Sequence, residues 1–142
     1  KTFNFKNWKD LLGKNGGKNA GDKYGEPFDT FANDRLTITE AYTTSSNVQK
    51  LLADRIDYII HGRYVGMAHF PTFESVVNIV PLKNNINEGV IHSGFTKKSK
   101  CQSFLPYINK RYKELFEDGT AEKILNQNIR RWIKFSKTQQ KN

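Results

Sequence analysis

The sequence has a single cysteine and a single methionine in 142 residues. The lone thiol, Cys101, excludes an internal disulfide and a four-cysteine zinc site. It fits the cytosol and is compatible with a Gram-negative periplasm. No run approaches the ~18 consecutive apolar residues of a membrane-spanning helix. No repeat with a period of about 20–50 residues is visible. Neither a GxGxxG fingerprint nor a GxSxG elbow occurs, and the glycine-rich stretch 13–21 (GKNGGKNAG) lacks the Lys-Ser/Thr of a phosphate-binding loop. The histidines His61, His69 and His92 form no HxxxH pair and no zinc spacing with Cys101. A Cys101–His92 nucleophile pair remains as a spacing only; the ordinary reading is a thiol beside a helix start. Nothing here supports an enzyme, a metal or a cofactor.

Apolar residues are also scarce, at 37% with a mean hydropathy of −0.70. The aromatic share of 13% compensates, and disordered chains are poor in aromatics, so disorder throughout is excluded. The length fits one domain. Lys1 in first position, with no initiating methionine and no signal peptide, suggests a processed product or a piece of something longer.

Charge is what the chain has in excess: 23 Lys+Arg against 14 Asp+Glu, net +9, with a pI near 9.7. It is uneven. Residues 1–92 carry net +1, whereas residues 93–142 hold 12 basic and 4 acidic residues, net +8. Such an asymmetry points to an anionic partner or to a solvated helical face. Arg130, Arg131, Lys134, Lys137 and Lys141 interleave with Trp132 and Phe135, as on nucleic-acid surfaces. Helical spacing gives the other reading, in which Trp132 faces inward with Ile129 while Arg130 and Lys134 face water. The second reading is preferred, and no nucleic acid is expected.

The local patterns give an α/β chain. Residues 13–21 read as a loop or a badly formed strand. Residues 24–31 read as a helix with Pro27 in its first turn. Residues 36–41 alternate as a half-buried strand. Ser46, with Gln49 in capping-box spacing, opens a helix whose stripe is Val48, Leu51 and Leu52. Residues 57–60 form a short apolar strand, 64–70 a short helix stopped by Pro71, and 76–80 and 89–96 two further strands. A helix from about 100 to 117 carries Phe104, Ile108, Tyr112 and Leu115 on one face. Gly119 ends it, and Thr120 caps a second helix with Ile124, Leu125, Ile129 and Trp132. Strands alternating with helices argue for a partly parallel sheet. In such sheets ligands sit at the carboxyl ends of strands, and helix N-termini near Tyr24 and Ser46 suit an anionic group. The turn His61-Gly62-Arg63-Tyr64 belongs to the same rim.

Several segments together resemble a known family. WKDLLGK (8–14), GDKYGEPF (21–28), NVQKLLADRIDYII (47–60), GVIHSGFTKKSKC (89–101) and FEDGTAEKIL (116–125) resemble, in order and spacing, segments of the bacterial extracellular solute-binding proteins of family 3, receptors of polar amino-acid uptake. Asp54 stands where the family usually has glycine. The resemblance implies a periplasmic-binding-protein-like type II lobe, with a mostly parallel sheet and flanking helices, plus C-terminal helices. Residues 1–88 would be the second lobe, and residues 89–142 the returning strand and helices of the first lobe. The implied function is a periplasmic solute receptor of an ABC transporter that serves a membrane permease and closes on a small polar or anionic solute. A ligand-sensing domain of a signalling protein is an alternative, as is a basic nucleic-acid-binding domain.

The implied ligand rim is Asp22, Lys23, Tyr24, Ser45, Ser46, His61, Gly62 and Arg63. Asp22 and Lys23 stand where the family has small hydroxyl residues, and Gly62 where its amino-acid receptors have an aspartate. An ordinary α-amino acid therefore fits this rim poorly, and the expected ligand is an amino-acid-like or anionic small molecule. With most of the first lobe's sheet lacking, the apolar tail faces would turn to the second lobe, to another copy or to a partner, and a domain-swapped or tail-mediated homodimer is one natural arrangement.

Overall fold

The computed structural model describes residues 3–73, 79–89 and 92–139. The chain is α/β and divides into two compact units, Lys1–Gly89 and Val90–Asn142.

The first unit opens with a 3-10 turn, Trp8–Leu11. Asn7 and Asp10 close it reciprocally: Lys9 N–H donates to Asn7 Oδ1, and Asn7 N–H to Asp10 Oδ2. Then follow β1 (Asn15–Asn19), α1 (Phe28–Arg35), β2 (Thr37–Ala41), α2 (Thr44–Leu52), β3 (Tyr58–Ile59), α3 (Arg63–His69) and a 3-10 turn at Phe70–Thr72. The sheet is wholly parallel, in the order β2-β1-β3.

The central strand is therefore NGGKN, the stretch that reads as a loop. Its glycines explain this. Gly16 pairs with Ile38 and Tyr58 in the register. A Cβ on Gly16 would lie 2.6 Å from Tyr58 Cζ, and one on Gly17 2.6 Å from Ile56 Cδ1 and 2.9 Å from Asn47 Oδ1. The strand is apolar by proxy: neighbouring side chains fill the space that its own would occupy. One face carries the core of Phe5, Leu11, Phe28, Ala32, Tyr58 and Ile60. On the opposite face, Asn47 of α2 and the buried Ile56 close on Gly17.

Helix starts differ from the expected ones. α1 begins at Phe28 rather than Tyr24, because the Asp29 carboxylate takes the N–H groups of Tyr24 and Gly25 and holds both in the preceding loop. The Glu26–Pro27 bond is cis. α2 begins at Thr44, not Ser46; Thr43 is its cap, with Oγ1 accepting the Ser46 N–H at 3.1 Å. The same helix ends in a Schellman turn. Arg55 N–H reaches Lys50 O, Asp54 N–H reaches Leu51 O, and Asp54 takes φ 55°. Asp54 thus occupies a position where the backbone favours glycine.

Neither further strand forms among the described residues. Ile79, Val80, Gly89 and residues 92–96 join no ladder, while 76–78, 90 and 91 lie outside the described residues. A β-branched run favours extended chain, but a strand needs a neighbour's backbone groups. Residues 79–89 instead pack on the core through Leu82 and Ile86. Trp8 Nε1 donates to Ile86 O at 2.7 Å, and Asn87 Nδ2 to Tyr24 O at 2.6 Å.

The second unit holds a 3-10 turn at Lys100–Phe104, then α4 (Leu105–Glu117) and α5 (Thr120–Gln139), which pack on each other. The first helix of this unit is thus shorter than expected, since its first five residues wind as 3-10. Gly119, at φ 75°, links the two helices, and Asp118 Oδ1 accepts the Thr120 N–H. Neither helix buries a residue. Trp132 does not face inward as the spacing predicts: it is 46% exposed.

Candidate functional site

The order β2-β1-β3 places a winding reversal between β1 and β3, whose carboxyl ends therefore border the natural crevice of the sheet. β1 ends at Asn19. Ala20 N–H continues the ladder to Ala41 O, and Asp22 N–H turns back to Asn19 O. From this turn, Tyr24 reaches across to β3. Its hydroxyl donates to Ile60 O at 2.8 Å and lies 3.2 Å from Asp22 Oδ2. Burial, then the Asp22 carboxylate, push the phenol far above its ordinary range. Tyr24 is a neutral strut between the two strand ends.

His61 follows directly. Its ring packs against Phe70, with centroids 5.6 Å apart. Nε2 is buried and has no hydrogen-bond partner among the described residues. Burial lowers the pKa of His61, against an upward pull from Asp22, and His69 adds to the lowering. A neutral imidazole whose Nε2 has no partner can donate or accept one hydrogen bond with an incoming polar group, according to its tautomer.

Asp22, Tyr24 and His61 are thus brought together. Lys23 is exposed beside them. Ser45 and Ser46 sit in the first turn of α2, with Ser46 Oγ 2.9 Å from Thr43 Oγ1. Gly62 is the N-cap residue of α3. Arg63 is engaged elsewhere: Nη2 donates to Leu82 O (3.1 Å) and Lys83 O (3.0 Å), and Nε to Asn85 Oδ1 (2.8 Å). Its role in the structure is to hold the segment that packs on the core.

Sequence reasoning missed Asn19 and Asn47. Asn47 is fully buried; its Nδ2 donates to Asn19 Oδ1, and Asn19 Nδ2 donates to Thr44 Oγ1. This relay joins the end of β1 to the start of α2. An asparagine directly before Val48 of the buried stripe was the available signal. A pocket of about 160 Å³ opens beside Tyr24, bordered by Lys18, Asp29, Asn33, Glu40 and Ile60. Lys18 and Glu40 pair across it at 3.2 Å. It is smaller than the ~300 Å³ at which closed ligand pockets begin. Cys101 is an exposed free thiol, and the described residues contain no metal-binding group of three or more His, Cys, Asp or Glu.

No family model, curated protein or solved structure matches the chain.

Proposed function

We propose that the chain is a solute-binding module of a bacterial ABC-type uptake system, built on a periplasmic-binding-protein-like type II lobe. The observation that carries this reading is the convergence of Asp22, Tyr24 and His61 at the carboxyl ends of β1 and β3. A parallel sheet covered on both faces agrees with the lobe that the resemblance implies. The left-handed turn at Asp54, in the place of the family's glycine, supports the same alignment.

The rim offers a small polar solute the unpartnered Nε2 of His61, the carboxylate of Asp22 and the first turn of α2 at Thr44 and Ser45, the Ser46 N–H being taken by Thr43 Oγ1. Lys23 meets an anionic part of the solute. The setting is the periplasm, and the partners are a first lobe that completes the cleft and a membrane permease. Binding by this wall alone is weak, because the closing half and the desolvation it brings are missing.

Amide NMR spectra of the chain, titrated with amino acids, small anions and oligopeptides, test the proposal. The expected result is saturable shifts at Asp22, Tyr24 and His61 that His61→Gln abolishes. A panel that leaves these resonances unmoved, at concentrations up to about 10 mM, removes the reading.

A further inference from the structure

β1 carries one side chain that its setting does not call for. Lys18 follows Gly16 by two residues and so faces the same side of the sheet, toward α1. In a central parallel strand such a position is ordinarily apolar. The Lys18 side chain is only 15% exposed, and lysine is rarely this covered without a partner. Its Nζ lies 3.2 Å from Oε1 of Glu40, the register partner on β2, and donates to Asp22 O at 3.3 Å.

This pair borders the recess of about 160 Å³ between α1 and the sheet. The buried Phe28 and Ile60, with Leu36 and Ile38, give the recess an apolar floor. Glu40 is half exposed and Asn33 exposed, so the polar side is the mouth. Tyr24 borders both this recess and the crevice at the strand ends, but neither Asp22 nor His61 lines the recess. A cavity of about 150 Å³ holds one benzene molecule, so there is room here for a single ring.

Charge decides the polar end of a ligand. Lys18 and Glu40 together carry no net charge. A carboxylate would gain Lys18 but meet Glu40, and an ammonium would gain Glu40 but meet Lys18. Asp29 is already engaged: its oxygens accept the N–H groups of Tyr24 and Gly25 in the first turn of α1. Both members of the pair have capacity left among the described residues, one N–H on Lys18 and Oε2 on Glu40. A primary amide answers both, its carbonyl accepting from Lys18 and its NH₂ donating to Glu40. We propose that the recess binds a small neutral amide with an apolar body of about benzene size, the body against Phe28, Leu36 and Ile38 and the amide on Lys18 and Glu40.

Methyl and amide NMR of the whole chain tests this with benzamide, benzoate and benzylamine, each to about 20 mM. Benzamide should shift the Leu36, Ile38 and Ile60 methyl signals saturably, with Kd near ~1 mM. Benzoate and benzylamine should bind at least about tenfold more weakly. Glu40→Gln, at a half-exposed position, leaves Lys18 without its counter-ion, so benzoate should gain about tenfold in that variant. Lys18→Met should weaken benzamide and leave benzoate weak. Methyl signals that none of the three compounds moves overturn the proposal. So does a charged compound that binds the parent chain as well as benzamide, a set of shifts confined to Asp22 and His61, or a ranking that Glu40→Gln leaves unchanged.

Discussion

Replacing Gly16 by alanine isolates the contact on which the central strand depends. The new methyl would stand 2.6 Å from Tyr58 Cζ and 2.7 Å from both Cε2 and Oη. Ordinary carbon contacts are about 3.5–4.0 Å, so the ring must retreat by about 1 Å. It has little room. Tyr58 is 7% exposed, meets Phe3 edge-on at 6.1 Å and belongs to the cluster with Phe5 and Phe28. Its hydroxyl has no partner among the described residues, so the retreat disturbs packing rather than a hydrogen bond. Overpacking of this kind costs about 1–3 kcal/mol. Taking about 2 kcal/mol and a urea slope near 1.5 kcal/mol/M, the unfolding midpoint should fall by about 1.3 M. Tyr58→Leu removes all three atoms that the methyl would strike. In that background Gly16→Ala should lose most of its cost, giving a coupling of at least about 1 kcal/mol in the double-mutant cycle. A Gly16→Ala chain within about 0.5 kcal/mol of the parent would refute the reasoning. An unchanged cost in the Tyr58→Leu background would do so too.

Three further outcomes are expected. Asp54→Gly should be more stable than Asp54→Ala by about 1 kcal/mol in thermal unfolding, since both remove the carboxylate and only glycine accepts the left-handed turn freely. His61, with its folded pKa lowered, binds a proton more readily when unfolded; stability should therefore be full above about pH 6.5 and fall as pH drops below it, and His61→Gln should flatten that slope in urea midpoints. Arg63→Ala should free residues 82–85, seen as faster tryptic cleavage after Lys83; a cleavage rate equal to the parent's would refute the strap.

Periodicity reads a segment's own side chains, and that is why β2 and β3 were legible and β1 was not. Residues 36–41 and 57–60 carry apolar side chains of their own. At β1 the filling atoms belong to Tyr58, Ile56 and Asn47, which no local pattern connects to Gly16 and Gly17. The start of α2 lies in a run of four hydroxyl residues, Thr43 to Ser46, and composition cannot rank them; the extended backbone at Thr43 does. Of Asp22, Tyr24 and His61, only His61 follows a strand that the pattern showed; Asp22 and Tyr24 follow β1, which the pattern did not show, and were singled out as ligand residues only through the resemblance. The engagement of Arg63 was not legible, because its partners are backbone carbonyls and an amide about twenty residues downstream. The tail stripes were visible as periodicity, but periodicity does not fix how far each residue of a stripe is covered, and Trp132 is 46% exposed.

The glycine pair in β1 bears on the order in which the unit folds. A strand without side chains at its centre cannot attract its neighbours from the unfolded chain; it offers only a slot. The segments from β2 to β3 must bring Tyr58, Ile56 and Asn47 near their final places before that slot has value. β1 should then lock late, after the barrier, so that Gly16→Ala speeds unfolding and leaves the folding rate nearly unchanged. The most central strand of the sheet would be the last to join it.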